Sequence, residues 1–157
     1  MVSALSFGMR HLASDPALQE RIIAEPGCVP AVVEELLRRY AFIGLPRRVM
    51  HDTELAGVEL RSGEMIYCPL VLVGWDVRLA ADPFDVSLDR GACRHAACGT
   101  NIHTCLGVHL ARLELEIFYR RWFERIGPTR LASPDTASHC RGGLIWAIDR
   151  LDLAWDT

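Results

Sequence analysis

The stretch Cys98-Gly99-Thr100-Asn101-Ile102-His103-Thr104-Cys105-Leu106-Gly107, running straight into Val108-His109-Leu110-Ala111-Arg112-Leu113-Glu114, decides how the rest of the chain is read. Leu106, Leu110, Leu113 and Ile117 recur at helical spacing and Trp122 extends the apolar content, so a long helix is predicted from about Cys105. That puts Cys105 at a helix N-terminus, where exposed backbone N–H groups and the positive end of the dipole stabilise a thiolate. A cysteine so placed is poised to bind a metal. Taken alone it reads as a buried helix-start cysteine. Cys93, His95, Cys98, His103 and Cys105 also crowd together as a structural zinc site would require, although no Cys-x-x-Cys pair is present.

Working outward, the segment from Trp75 to Cys98 is rich in Asp, Pro, Gly and Arg and is expected to be a long ordered loop. Before it, β-branched and alternating stretches predict strands at roughly Arg47 to His51, Glu54 to Leu60 and Glu64 to Pro69, with Ser62-Gly63 turning between the last two. Three helices precede these. The first carries Val2, Leu5, Met9 and Leu12 on one face with no cap before it. The second opens on Asp15-Pro16 and ends at Pro26-Gly27, and the third runs from near Pro30 with Glu34, Glu35, Arg38 and Arg39. After Gly127 short strands return, and Gly142-Gly143 before Leu144, Ile145 and Trp146 suits a hairpin. The fold class is therefore mainly α with small β-sheets (α+β), and residues 1–157 read as one unit without repeat or linker.

Composition narrows the function. Half of the 157 residues are hydrophobic, and 17 basic against 20 acidic side chains leave a net charge of −3 with no basic cluster, so nucleic acid is not an expected partner. No apolar run approaches a membrane span and no secretory signal is recognisable, so a membrane is not expected and a cytoplasmic location is. Six cysteines in this setting fit reduced thiols or a metal site better than a disulfide framework.

The cysteine segment resembles the Phe-Gly-x-Gly-x-His-x-Cys-x-Gly signature of the cytochrome P450 family and its Ala-Arg-x-Glu continuation, keeping Gly99, His103, Cys105, Gly107, Ala111, Arg112 and Glu114. Similarity to the bacterial camphor hydroxylase group extends from Leu5-Ser6-Phe7 through Glu34-Glu35-Leu36-Leu37-Arg38-Arg39 to Leu153-Ala154-Trp155. The resemblance implies the C-terminal part of the P450 fold. It implies haem b (iron protoporphyrin IX) with Cys105 as the iron ligand, Gly99 shaping the loop and Gly107 allowing close approach to the porphyrin. A thiolate ligand favours O–O cleavage, which marks oxygen activation. The implied activity is hydroxylation of a small apolar substrate with dioxygen and electrons from a ferredoxin-like partner.

Other roles come from the same source. Glu35 and Arg38 match the family's Glu-x-x-Arg, which braces the loop before the ligand; alone they would be a solvated ion pair. A basic residue usually completes that brace, but Asp85 stands in its place, where it would repel Glu35; Arg90 is the candidate substitute. Arg47, by itself an ordinary surface arginine, and His103 match positions that bind the haem propionates through charge-assisted hydrogen bonds. Ile43, Leu45 and Leu144 match substrate-pocket positions and are equally suited to a core. Cys98 replaces the Phe that shields the proximal face, Asn101 replaces a loop Gly and tolerates positive φ, and Thr104 stands where Arg is common. Met1 falls just past the family's oxygen-activating Thr. An alternative expectation is therefore a truncated, catalytically silent remnant that binds haem or supports interactions, with the apolar stripe of the first helix exposed.

Overall fold

The computed structural model describes residues 1–91, 94–133 and 140–156. Among the described residues the core is carried by α1 (Val2–Leu12), α2 (Pro16–Ala24), α3 (Val29–Arg39), the single turn α4 (Val71–Gly74) and α5 (Val108–Arg125). α3 is central. Its Val29, Val32, Val33, Leu36 and Leu37 are buried at the i, i+3, i+4, i+7, i+8 spacing of one helical face, and it packs on α1, α4 and α5. Met9 and Leu12 of α1, Leu18 and Ile22 of α2, and Leu115, Tyr119 and Phe123 of α5 close the same core. Truncating one such leucine, Leu12 for example, costs about 2–5 kcal/mol through lost transfer energy and the cavity left behind.

Local signals explain the helix ends. Asp15 caps α2 by accepting from the Leu18 N–H at 3.0 Å, and Pro16 occupies the first turn, where a missing N–H costs nothing. α2 ends at Ala24, just ahead of Pro26-Gly27 as expected, and Pro26 opens a 3₁₀ turn, Pro26–Cys28, that leads directly into α3. Buried Gln19 donates to the carbonyls of Leu12 (2.6 Å) and Thr129 (2.9 Å) and accepts from the Thr129 N–H (2.7 Å), tying the α1–α2 corner to the strand after α5.

Among the described residues the strands form four separate antiparallel pairs: β1 (Gly44–Arg48) with β4 (Met65–Pro69), β2 (Thr53–Leu55) with β3 (Val58–Leu60), β5 (Thr129–Leu131) with β8 (Leu153–Trp155), and β6 (Cys140–Arg141) with β7 (Ala147–Ile148). Two expectations are corrected here. The stretch Glu54 to Leu60 is a hairpin, because Ala56 (φ 51°) and Gly57 (φ 81°) turn the chain and put Leu55 opposite Val58. Ser62-Gly63 consequently does not join neighbouring strands; the Gly63 N–H donates to Val49 and brings β4 beside β1. The hairpin expected around Gly142-Gly143 is present as β6–β7.

Helix α5 begins at Val108, three residues later than expected, with Gly107 as an N-cap that offers no side chain. Its buried face is also not the expected one. Val108, Leu115, Tyr119 and Phe123 point inward, while Leu106, Leu110, Leu113 and Ile117 are exposed, Leu106 completely. An exposed apolar row lies here; of the stripe expected on α1, Met9 and Leu12 are buried, Leu5 is half-buried and Val2 is exposed. Among the described residues no helix is long and apolar enough to cross a membrane.

Candidate functional site

The cysteine loop is closed by its own backbone. The Cys105 N–H donates to the Cys98 carbonyl at 2.7 Å, Gly99 N–H to Ala96 at 2.9 Å, and Thr104 N–H to Asn101 at 3.1 Å, with the Thr104 hydroxyl donating to the same Asn101 carbonyl. Two residues take the left-handed conformation this path needs. Asn101 has φ 51°; Gly99 has φ 72°, and a Cβ there would lie 2.3 Å from the His103 carbonyl oxygen, so only glycine fits. Gly107 differs. Its φ is −87°, and an added Cβ would meet nothing within 4 Å except the Cys105 sulfur at 4.0 Å. What the missing side chain keeps clear is the space beside that sulfur.

Cys105 is exposed and lies on the wall of an apolar cavity of about 340 Å³. Leu37 from α3, Phe42, Ile43 and Leu45 around the start of β1, and Leu115 of α5 form its apolar side. Ala97, Cys98, Gly99 and His103 complete the wall around the sulfur, and no Asp, Glu, Lys or Arg is among the described lining residues. Burial pushes the Cys98 thiol up, keeping it protonated and neutral. Such a wall could hold a flat, apolar group, and Cys105 is the residue on it whose sulfur would bind a metal carried by that group. The residues present fit a haem: a sulfur ligand, cleared space at Gly107, apolar faces, and polar groups at the margin.

Arg47 stands two residues beyond Leu45 on the same face of β1, exposed, and its Nη1 donates to the Pro46 carbonyl at 2.9 Å; it does not line the cavity itself. Leu144 also stands off the wall. Its side chain is exposed, while its carbonyl accepts from the Gly44 N–H at 2.9 Å, beside the Ile43–Ile145 bridge. Among the described residues no group of three or more His, Cys, Asp or Glu could hold a metal ion, and Cys93 lies outside them. His95, counted for zinc, is engaged by Glu34 instead, with Nε2 3.1 Å from the carboxylate.

Glu35 and Arg38 are buried, not solvated. Arg38, with no exposed surface, donates in a fork to Glu35 (Nε at 2.8 Å, Nη2 at 3.1 Å) and to the carbonyls of Gly74 (2.7 Å), Pro83 (2.7 Å) and Asp85 (2.6 Å). Arg39 takes the intervening Phe84 carbonyl at 2.7 Å. Burial alone would raise the Glu35 carboxyl, but the Arg38 fork, the Ser87 N–H and nearby Arg90 outweigh it and hold the pKa below its ordinary value. The expected repulsion from Asp85 does not arise, since that residue contributes its carbonyl; Arg90 Nε faces Glu35 at 3.4 Å. Three successive carbonyls of the loop ahead of the cysteine are thus fixed to α3.

No protein-family model matches the chain. It is 34% identical over 155 residues to the probable cytochrome P450 127A1 of Sinorhizobium fredii, covering 99% of the chain and 37% of that protein. It is 37% identical over 153 residues to the pentalenic acid synthase of Streptomyces avermitilis, covering 96% and 38%. The crystal structure of cytochrome P450 CYP101C1 superposes with a TM-score of 0.92 at 32% identity over 99% of the chain and 40% of that structure. CYP101J2 gives 0.90 at 35%, over 99% and 39%. The chain therefore spans well under half the length of the relatives it matches. With the same fold and this similarity along nearly its whole length, the chain belongs to the cytochrome P450 family and corresponds to that family's C-terminal portion.

Proposed function

We propose that the chain supplies the thiolate-ligand side of a haem b monooxygenase that hydroxylates a small apolar substrate with dioxygen and electrons from a ferredoxin-like partner. The observation that carries this reading is the exposed Cys105 sulfur on the wall of an apolar cavity, in a loop whose backbone tolerates only glycine at position 99. When bound, haem supplies the dioxygen activation, which a thiolate ligand favours by pushing electron density onto the iron.

The chain's own residues do the rest. The Cys98–Cys105 backbone bond holds the sulfur at the loop's end, and the apolar wall from Leu37 to Leu115 excludes water from that side. Arg47 and His103 offer charge-assisted hydrogen bonds to two propionate carboxylates. Ile43 and Leu45 present apolar contact to substrate, a role the position of Leu144 supports less well.

The test is the reduced carbon-monoxide adduct of the haem-loaded chain. The expected result is the red-shifted Soret band of thiolate ligation, abolished in Cys105→Ser; retention of the band in that variant rejects the assignment. An NAD(P)H-driven oxidation assay with ferredoxin-type partners then separates turnover from silent haem binding.

A further inference from the structure

A second carboxylate on α3 is tied to both ends of the cysteine loop. Glu34 Oε1 and Oε2 accept from Arg112 Nε and Nη2, the latter at 3.0 Å, and Oε2 lies 3.1 Å from His95 Nε2. The Ala97 N–H points at His95 Nδ1 from 3.3 Å, and because an amide N–H can only donate, Nδ1 is the acceptor and Nε2 carries the proton toward Glu34. The His95 side chain is 8% exposed. His95 lies just ahead of Cys98, and Arg112 lies one turn into α5, just past Gly107. One side chain therefore grips the segment that enters the loop and the helix that leaves it.

We propose that Glu34, His95 and Arg112 are positioning residues that set the place of the Cys105 sulfur against the cavity wall, a role that rests on Cys105 being the haem ligand. The cluster is separate from the Glu35–Arg38 brace. Successive residues on α3 diverge by about 100°, so Glu35 secures the Pro83–Asp85 segment and Glu34 secures the cysteine loop. The loop's internal bond from Cys105 N–H to Cys98 fixes its shape, whereas Glu34 fixes that shape to the helix lining the cavity. Ligand sites demand placement within about 0.5 Å, which is why an anchor at each end matters. An ion pair serving stability alone would leave the ligand's geometry untouched.

The test uses the full chain with Glu34→Gln, His95→Leu and His95→Gln, whose amide nitrogen stands where Nε2 stands. The first readout is hydrogen exchange at the Cys105 amide without haem. The second is the share of bound haem giving the red-shifted carbon-monoxide band after loading with haemin. Glu34→Gln and His95→Leu are expected to speed that exchange by about tenfold, as for loss of one charged hydrogen bond, and to lower the share, while His95→Gln restores both. Unchanged exchange and band share in Glu34→Gln, or equal damage from His95→Gln and His95→Leu, overturns the proposal. The two His95 variants carry the test should Glu34→Gln not fold. A red-shifted band that survives Cys105→Ser overturns the ligand reading alone, because the haem-free exchange measurement stands apart from it.

Discussion

Replacing Arg38 by methionine removes a guanidinium with no exposed surface and leaves its apolar stem in place. Among the described residues Glu35, itself buried, then keeps the Ser87 N–H at 3.1 Å and Arg90 at 3.4 Å. Breaking a buried ion pair from one side costs about 3–5 kcal/mol, since the remaining charge is desolvated without compensation. The carbonyls of Gly74, Pro83 and Asp85 lose a donor as well, at about 1 kcal/mol or more each where water cannot replace it. The sum is at least about 4 kcal/mol, a large part of the roughly 5–15 kcal/mol that holds a domain folded. Urea unfolding followed by far-ultraviolet circular dichroism measures it. The double variant Glu35→Met with Arg38→Met removes the orphaned charge and is expected to recover about 2 kcal/mol while leaving the Gly74 and Pro83 carbonyls without their Arg38 donor. A loss below about 1 kcal/mol in Arg38→Met, or a double variant no more stable than the single, refutes the reasoning.

Three further outcomes follow from the geometry. Gly99→Ala forces a Cβ to within 2.3 Å of the His103 carbonyl oxygen at φ 72°; the loss is expected at roughly 1–3 kcal/mol by urea unfolding, and a neutral substitution would contradict the loop geometry. Asp15→Ala deletes the α2 cap and is expected to cost about 1 kcal/mol in the same assay, with no effect if the Leu18 N–H bond carries nothing. The His95 hydrogen bond, followed by Arg112 and against burial, depresses the Glu34 carboxyl from 4.5 to about 2. A depressed folded-state pKa contributes stability that is fully present above 4.5 and is lost as pH falls toward 2. At 43% exposure solvent screening holds the contribution to about 1 kcal/mol. The stability gap between the chain and Glu34→Gln should therefore close between about pH 5 and about pH 2; a gap that does not change with pH refutes it.

What could be read in advance was whatever is written locally. Asp15-Pro16 announces α2 because a cap and its first turn are adjacent, and Asn101 was legible as a positive-φ residue because the preference belongs to its own side chain. The buried face of α5 was not legible. Leu106, Leu110, Leu113 and Ile117 share the helical period with Val108, Leu115, Tyr119 and Phe123, and periodicity alone does not say which of two apolar faces meets the core. The Ala56-Gly57 turn was missed because Ala carries no turn preference of its own. The Glu34 cluster joins residues 61 and 78 positions apart, and Gln19 reaches one 110 positions away, distances at which no local pattern exists. Glu35 and Arg38 were legible as a pair but not as a buried one, since their burial depends on Gly74, Pro83 and Asp85 closing over them.

The central claim is that Cys105 is the sulfur ligand of a haem iron. X-ray absorption at the iron edge of the haem-loaded chain measures that directly. The account predicts one sulfur in the first scattering shell, absent in Cys105→Ser and retained in Cys98→Ser, the other cysteine on the cavity wall. An iron shell of nitrogen and oxygen alone in the unmodified chain, or a sulfur shell that disappears with Cys98 and survives loss of Cys105, would contradict it.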